Sequence, residues 1–281
     1  MTEILVIGSV NLDLSASVSR LPAPGETVTG AVLDRFPGGK GANQALAASR
    51  LGAHVKLIAC VGNDANATEA LALLHEAGVD LSQVVIDSDA ATGVALISVA
   101  QSGENQIVVA PGANACLSRD NFELPSADAL ICQLEVPRET ITQVAGEFPG
   151  FVCINLAPAC EVDEALLARA DLIVVNETEA AWYGDNLLKC KGFIATTHGA
   201  KGAELRRNCE LVASASPPVV DTIDTTGAGD TFAAALTLAL VEGQPADRAL
   251  IFACAAGAAA TTKRGAQPSL PTRPEVEAYL L

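Results

Sequence analysis

A glycine-rich turn followed by an aspartate offers the clearest chemistry in the sequence. The stretch Asp224–Phe232 reads DTTGAGDTF and leads directly into the helical run Ala233–Val241. In such a turn, Gly227–Gly229 presents bare backbone N–H groups at a helix N-terminus, which is a site for anions. Asp230, in the first turn, is placed to accept a proton from a hydroxyl group beside that anion. An acid at this position also stabilises the helix dipole, so the pattern alone leaves both interpretations open.

A second glycine-rich junction, Gly38–Gln44 (GGKGANQ), opens another predicted helix. Its glycines let a ligand approach the backbone, while Lys40 and Asn43 offer a cation and an amide about one turn apart. The Walker A spacing GxxxxGK[ST] is absent here and at Gly199–Gly202. A solvated lysine at an ordinary loop-to-helix junction is the alternative.

Polar side chains also follow the first predicted strand. Asn11 and Asp13 are two residues apart, so on an extended segment they share a face and could each bind a sugar hydroxyl. A role in capping a turn is the alternative. The dinucleotide fingerprint GxGxxG is missing, which argues against a dehydrogenase.

Carboxylates follow two further predicted strands. Glu135 comes just after Leu130–Gln133, and Asn176–Glu179 (NETE) comes just after Leu172–Val175. Such positions suit Mg²⁺, which keeps several waters and needs one or two acidic partners. First-turn residues of a short helix are the alternative for the two glutamates of NETE. The stretch Thr196–Gly202 follows another strand and is placed to contact a nucleotide phosphate.

The elements that must position these residues alternate along the chain. Short aliphatic runs predict strands at Ile4–Ile7, Val55–Val61, Leu130–Gln133, Val152–Asn155, Leu172–Val175 and Phe193–Thr197. Helical spacing is found at Lys40–Leu51, Ala67–Ala77, Glu139–Glu147, Val162–Ala170, Thr231–Val241, Ala246–Thr262 and Pro274–Leu280. This alternation predicts an α/β domain with a mostly parallel sheet, and its site is expected at the carboxyl ends of the strands.

Two segments depart from that alternation. Leu12–Phe36 contains alternating residues and a turn, and Thr92–Val109 predicts two strands around a turn at residues 101–104. Because neither segment contains a helical pattern, we expect them to pair into a small antiparallel sheet beside the main domain. The sequence shows no long linker and no internal repeat, so residues 1–281 are predicted to form one domain.

Composition excludes several classes of protein. Among 281 residues, 50% are hydrophobic and 18% are charged, which supplies a sizeable core. The formal charge of −16 argues against nonspecific binding to nucleic acid or anionic membranes. The eight cysteines have no zinc spacing, no signal peptide is visible, and the three histidines fit no hydrolytic triad. We therefore expect a cytoplasmic protein with reduced cysteines.

These motifs, in this order and spacing, resemble the ribokinase-like sugar kinases, the PfkB family. The resemblance runs from about Ile4 to Leu281 and rests mainly on Gly38–Asn43, Asn176–Glu179 and Asp224–Asp230. It implies a three-layer α/β/α fold with a small β-sheet lid. Further stretches resemble the family members that act on ribose, although kinases for other sugars share much of the pattern: Pro24–Val28, Gly93–Ile97, Gln133–Glu135 and Lys263–Ser269.

The resemblance implies a role for each matching residue. Asp230 would be the base, and the anion hole would comprise Gly227, Ala228 and Gly229. The sugar pocket would be lined by Asn11, Asp13, Gly39, Lys40, Asn43, Glu135 and Asp230. The nucleotide would contact Asn176, Thr197, Gly199, Gly202, Gly229 and Cys254. Magnesium would lie near Asn176 and Glu179, largely through water, and potassium near Asp224, Thr226, Gly265 and Ser269.

The activity implied is ATP-dependent phosphorylation of D-ribose at its 5-hydroxyl. A kinase for deoxyribose, fructose or a nucleoside is the nearest alternative, and a non-catalytic sugar-binding or regulatory protein is the alternative from another class. The lid, expected at about residues 12–36 and 92–109, would also form a homodimer contact. One departure from the family is the short stretch after Glu179, where relatives carry a longer helical segment.

Overall fold

A mixed sheet runs through the centre of the protein. The computed structural model describes residues 1–102 and 104–281, and in these residues the strands form a nine-stranded main sheet and a separate four-stranded small sheet. The main sheet has the order β13-β12-β11-β10-β9-β8-β1-β4-β5. Its strands are β1 (Glu3–Ile7), β4 (His54–Gly62), β5 (Asp80–Asp87), β8 (Ala129–Cys132), β9 (Phe151–Asn155), β10 (Leu172–Asn176), β11 (Phe193–Thr197), β12 (Ala203–Arg207) and β13 (Glu210–Ala215). All neighbours from β11 to β5 pair in parallel, whereas β12 and β13 are antiparallel.

Helices cover both faces of the main sheet, so its strands are buried on both sides and are largely apolar. In strand β1, successive side chains point to opposite faces: Ile4 and Val6 pack into one core, and Leu5 and Ile7 pack into the other. The first core is closed by α1 (Lys40–Arg50), α2 (Ala65–Glu76), α6 (Ala228–Val241), α7 (Ala246–Ala259) and α9 (Arg273–Glu277). The second is closed by α3 (Arg138–Glu147), α4 (Glu164–Arg169) and α5 (Glu177–Tyr183). The predicted three-layer α/β/α fold is therefore confirmed.

The small sheet has the order β3-β2-β6-β7. Its strands are β2 (Asn11–Val18), β3 (Val32–Gly38), β6 (Gly93–Ala100) and β7 (Asn105–Ala110). Each predicted segment forms an antiparallel pair, but β2 and β6 pair in parallel, so the expectation of an antiparallel sheet was wrong at its centre. Both strands leave the main domain in the same direction, and this geometry fixes the parallel pairing. The turn predicted at residues 101–104 includes Gly103, which lies outside the described residues.

Other elements differ from the sequence prediction at particular places. The predicted strands omitted β5 and the hairpin β12–β13, whose charged and half-exposed residues hide the apolar pattern. After Glu179, the short stretch forms the end of α5 and a 3₁₀ turn, Gly184–Lys189, which leads to β11. The short helix α8 (Ala266–Ser269) follows α7. In the described part of the chain, no helix has the length and apolar character needed to cross a bilayer.

Candidate active site

Two cavities meet at the carboxyl ends of the parallel strands. The first, which we call the polar cleft, has a volume of about 570 Å³ and lies between the main sheet and the small sheet. The second, the apolar cleft, has a volume of about 460 Å³ and lies beside α6 and α7. Thr197, Thr225 and Gly229 line both cavities. Two ligands could therefore approach each other at the start of α6.

Asp230 stands in the first turn of α6, where the two cavities adjoin. The helix begins after Gly227, whose φ of +82° belongs to the left-handed region that favours glycine. The Asp230 carboxylate accepts hydrogen bonds from Asn43 Nδ2 at 2.8 Å and from Gln44 Nε2 at 3.1 Å. Burial raises the pKa of Asp230, and Lys40 and the two amides oppose that rise. The carboxylate is thus a poised proton acceptor on the wall of the polar cleft.

Glu135, Asp13 and Lys40 also line the polar cleft. Glu135 accepts hydrogen bonds from Ser9 Oγ and, at 3.2 Å, from the backbone N–H of Lys40. Burial, together with Glu135 and Asp230, raises the pKa of Asp13 to about 7. Burial works to lower the pKa of Lys40, but the surrounding carboxylates outweigh it and the pKa is raised. The ammonium therefore stays charged where an anionic group would need it.

Asn11 is fixed by a neighbour that the sequence analysis did not select. Asn114, which is 1% exposed, donates from Nδ2 to Asn11 Oδ1 at 2.8 Å and to the carbonyl of Val10 at 3.1 Å. Its Oδ1 accepts from the N–H of Val10 at 2.9 Å. Because Asn11 Oδ1 is occupied by Asn114, the Asn11 amide is left to donate from Nδ2. No local pattern marks Asn114, which lies more than 100 residues away along the chain.

Asn176 and Glu179 form a reciprocal cap at the start of α5. Asn176 Oδ1 accepts from the N–H of Glu179, and Glu179 Oε2 accepts from the N–H of Asn176, both at 2.8 Å. Both side chains line the polar cleft, and burial raises the pKa of Glu179. Glu177 instead pairs with His198, at 3.1 Å between Oε1 and Nδ1. Among the described residues, no cluster of three or more His, Cys, Asp or Glu could hold a metal ion.

Asp224 organises the loop that precedes α6. Its Oδ1 accepts from the N–H and the hydroxyl of Thr226, and its Oδ2 accepts from the N–H of Gly265 at 2.9 Å. Burial works to raise the pKa of Asp224, but these hydrogen bonds and Arg264 outweigh it and the pKa is lowered. Ser269 is buried on α8 and donates to the carbonyl of Ala266 at 2.8 Å. These donors keep Asp224 ionised, and a carboxylate in this loop could contribute a negative charge toward a monovalent cation.

The predicted site residues divide between the two cavities. The polar cleft is lined by Asn11, Asp13, Gly39, Lys40, Asn43, Glu135, Asn176, Glu179, Thr197, Thr226, Gly227, Gly229 and Asp230. The apolar cleft is lined by Thr197, Gly199, Gly202, Ala228, Gly229 and Cys254. Asn176 thus faces the polar cleft rather than the apolar one. Asp224, Gly265 and Ser269 line neither cavity.

Comparison with known proteins places the chain in a family. A family model described as pfkB family carbohydrate kinase matches residues 1–273. The chain belongs to the PfkB family. A PfkB-family relative, the ribokinase of Haemophilus influenzae, is 38% identical over 98% of this chain and 97% of its own length. The family membership predicted from the sequence motifs is confirmed.

Solved structures of PfkB-family proteins have the same fold. The crystal structure of the Thermotoga maritima ribokinase has a TM-score of 0.91 and 33% identity, covering 100% of this chain and 99% of its own. The structure of the Arabidopsis thaliana ribokinase complexed with ribose and ATP has a TM-score of 0.88 and 29% identity, covering 99% and 98% of the two chains. The chain is accordingly a carbohydrate kinase of this family.

Proposed function

We propose that the protein transfers the γ-phosphoryl group of ATP to the 5-hydroxyl of D-ribose and yields ribose 5-phosphate and ADP. The observation that carries this proposal is the meeting of the two cavities beside Gly229 and Asp230. Relatives named ribokinase across the whole chain, and one complexed with ribose and ATP, support the choice of substrates. Residues 1–281 act as one kinase domain.

The polar cleft holds the sugar in this proposal. Asn11, Asp13, Gly39, Lys40, Asn43 and Glu135 line it and supply both donors and acceptors for hydroxyl groups. Asn43 Oδ1 is buried and, within the described residues, has no hydrogen-bond partner, although Asn43 Nδ2 is held by Asp230. A buried acceptor without a donor is costly, so a sugar hydroxyl directed at Asn43 Oδ1 would satisfy it.

Phosphoryl transfer needs alignment and neutralised charge more than covalent help from the protein. Asp230 takes the proton of the 5-hydroxyl as that oxygen bonds to the γ-phosphorus and the bond to the β-phosphate oxygen breaks. The backbone N–H groups of Gly227, Ala228 and Gly229 stabilise the charge on the transferred group at the N-terminus of α6. Lys40 supplies a positive charge from the sugar side.

The apolar cleft holds the nucleotide. Its walls are apolar near Cys254 and carry backbone groups near Thr197, Gly199 and Gly202, which suits a base at one end and phosphates at the other. Asn176 lies at the boundary with the polar cleft, where it can reach the phosphates. This arrangement directs the γ-phosphate to the start of α6.

Two cations fit the residues present. Mg²⁺, which would neutralise charge on the phosphates, would be held near Asn176 and Glu179 through its own waters. K⁺ would lie among Asp224, Thr226, Gly265 and Ser269, where the low pKa of Asp224 keeps a negative charge. That loop leads directly into the anion hole, so a cation there would stiffen the backbone that binds the phosphate.

The small sheet acts as a lid in this proposal, formed by about residues 12–36 and 92–109, and it joins two copies into a homodimer. Strand alternation places Leu33, Leu96 and Val108 on the face turned away from the polar cleft, and each is more than half exposed. An apolar face of this kind is typical of an interface. We expect Val108→Glu to yield monomers in analytical ultracentrifugation, whereas Leu211→Glu, an exposed position on β13, should leave the dimer intact.

The proposed location follows from the chemistry of the reaction. We place the protein in the cytoplasm, where ATP is available and thiols stay reduced. The cysteines in the described part of the chain are free, and several are fully buried within the sheet.

The decisive experiment measures ADP formation with ATP and Mg²⁺ against ribose, deoxyribose, fructose and nucleosides, with and without K⁺. The proposal requires the highest kcat/KM on ribose and a loss on the order of 10²–10⁴ in kcat for Asp230→Asn, with sugar binding retained. Preference for another sugar would replace the substrate and keep the mechanism. A folded protein that binds sugar but turns over none of them would instead be a binding or regulatory protein.

A further inference from the structure

Three buried amides form a continuous chain beneath Asp230. Gln44 Nε2 donates to Asp230 Oδ1 and to Asn155 Oδ1, both at 3.1 Å. Gln133 Nε2 donates to Gln44 Oε1 at 2.6 Å, and Asn155 Nδ2 donates to the carbonyl of Val174 at 3.1 Å. We call Gln44, Gln133 and Asn155 the amide chain. Both glutamines are 0% exposed, so water does not compete for these bonds.

The hydrogen-bond partners fix the orientation of each side-chain amide in the amide chain. The carbonyl of Val174 only accepts, so the amide nitrogen of Asn155 must face it and Asn155 Oδ1 must face Gln44. Two acceptors, Asn155 Oδ1 and Asp230 Oδ1, then require the nitrogen of Gln44. Gln44 Oε1 is consequently turned toward Gln133, which donates to it. Flipping any one of these amides would set like groups against each other.

Close packing holds the amide chain against the main sheet. Gln133 follows β8, and a Cβ placed on the neighbouring Gly8, after β1, would lie 1.8 Å from Gln133 Oε1. Asn155 ends β9 and its partner carbonyl belongs to β10. The amide chain thus contacts the adjacent strands β10, β9 and β8 and packs against Gly8 after β1. Through Gln44 on α1, it connects these strands to the Asp230 carboxylate on α6. Asp230 is positioned from the sheet as well as from its own helix.

We propose that Gln44 is a positioning residue for Asp230, and that Gln133 and Asn155 hold the Gln44 amide in its donating orientation. The inference rests on the proposed role of Asp230 as proton acceptor. With Oδ1 held by Gln44 and Oδ2 by Asn43, the carboxylate plane is fixed, and Asp230 lines the polar cleft. Donation by Gln44 also favours the ionised carboxylate, which alone can take the proton.

Other charges face the same carboxylate and remain when Gln44 is changed. Lys40 on α1 lowers the pKa of Asp230, and Glu135 after β8 raises it. Asp13 on β2 and Glu179 on α5 also interact with Asp230 through their charges. Removing the Gln44 donor therefore removes one contribution to the pKa of Asp230, while the contributions of these charges remain.

The first test replaces Gln44 with an apolar side chain of similar size. We expect Gln44→Leu to lower kcat on the order of 10- to 100-fold, because a charge-assisted hydrogen bond and the orientation of the base are lost. The KM for ribose should stay within about threefold, and the acid limb of the kcat–pH profile should move to higher pH. Thr237→Val is the matched control, because Thr237 is buried on the same helix and donates to the carbonyl of Ala233 at 2.8 Å rather than to Asp230. It should leave the pH profile of kcat in place.

A double-variant cycle separates positioning from damage to the fold. In the Asp230→Asn background, Gln44→Leu should reduce the residual rate no further, since Gln44 acts through the carboxylate. If Gln44→Leu fails to fold, Gln133→Leu provides the same test, with a smaller loss in kcat of about 3- to 10-fold. An unchanged kcat and pH profile in both single variants would overturn the inference, and so would losses that simply multiply with Asp230→Asn.

A readout without turnover distinguishes this inference from the proposed function. In protein labelled at the aspartate carboxyl carbons, with Asp230→Asn used to assign the signal, Asp230 should titrate at higher pH in Gln44→Leu than in the unchanged protein. That shift would support positioning even if no sugar in the panel were phosphorylated. Identical titration in the two proteins would refute it even if ribose were an excellent substrate.

Discussion

Asp13 carries an electrostatic cost in the absence of sugar. The residue is 7% exposed, and burial beside Glu135 and Asp230 raises the pKa of its carboxyl to about 7. In the unfolded chain the same group titrates near pH 4. The unfolded state therefore loses this proton at lower pH, and the protein loses stability as the pH rises from about 4 to 7. Function, rather than stability, explains a carboxyl at this place.

The first prediction uses Asp13→Asn to remove that cost. We expect the variant to be more stable than the unchanged protein at pH 8, by up to roughly 4 kcal/mol in the free energy of unfolding, and to lose most of this advantage at pH 4.5. Its KM for ribose should rise, because a hydrogen-bond acceptor is lost. Urea unfolding at the two pH values measures the effect. An advantage of equal size at both would show that Asp13 is not held protonated by its surroundings.

Two glycines at the start of α6 have different reasons to be glycine. Gly227 has a φ of +82°, and an added Cβ would lie 3.3 Å from the backbone of Ala266. For Gly229, an added Cβ would meet no atom of the described structure within 4 Å outside its own helix and chain neighbours. Gly229 lines both cavities, so its missing side chain leaves room for a ligand.

The second prediction compares the two alanine variants. Gly227→Ala should destabilise the protein by about 1–3 kcal/mol and lower kcat, because the left-handed turn is strained and its N–H groups move. Gly229→Ala should preserve stability or raise it by up to about 1 kcal/mol, since alanine favours helix, yet raise the KM for ATP. Thermal unfolding and steady-state kinetics test both. Equal loss of stability in the two would contradict the distinction.

The connection between the small sheet and the main domain passes through Asn114. This residue, in the 3₁₀ turn Gly112–Cys116 after β7, bonds both backbone groups of Val10 and the side chain of Asn11 at the start of β2. One buried amide thereby sets the entry of the strand that carries two proposed sugar-binding residues.

The third prediction concerns Asn114→Asp. The substitution replaces a donor by an acceptor opposite Asn11 Oδ1 and the carbonyl of Val10, so we expect a loss of about 1–3 kcal/mol in stability. The KM for ribose should rise by about 10-fold or more, while the KM for ATP changes little. Asn121→Asp, at an exposed position in the following turn, serves as the control and should leave both KM values unchanged. A larger effect on ATP than on ribose would argue against the assignment of the polar cleft.

Charge distributed over the entire surface opposes the approach of an anionic nucleotide. The formal charge is −16, and Lys40 lies within the polar cleft rather than on the outer surface. The fourth prediction is that kcat/KM for Mg·ATP rises, by about twofold, when choline chloride is increased from low to physiological ionic strength at constant K⁺, because salt screens the repulsion. The kcat/KM for ribose, which is neutral, should be unaffected at saturating ATP. A fall with salt would reveal a local positive field that outweighs the net charge.

The sequence predicted those features of the fold and the site that depend on residues close together along the chain. The α/β class and the mostly parallel sheet follow from apolar periodicity, and the candidate site from glycine-rich helix starts, which are local features. The three-layer arrangement came from the resemblance to the family. The amide chain was not predicted, since Gln44, Gln133 and Asn155 come from three distant segments and resemble ordinary polar residues. The parallel pairing of β2 with β6 was also missed, because register across separate hairpins is set by the assembled domain.

The parallel pair at the centre of the small sheet has a consequence for the order of folding. Asn11 pairs with Gly93, so about 80 residues, including α1, β4, α2 and β5, must be arranged before these strands can meet. Such distant pairings form slowly and late. We therefore expect the segments proposed to bind the sugar to be completed only after the layered core has formed. We expect a nascent chain to form the main domain before the small sheet. Partial unfolding should accordingly abolish sugar selectivity before it disrupts the core of the main domain.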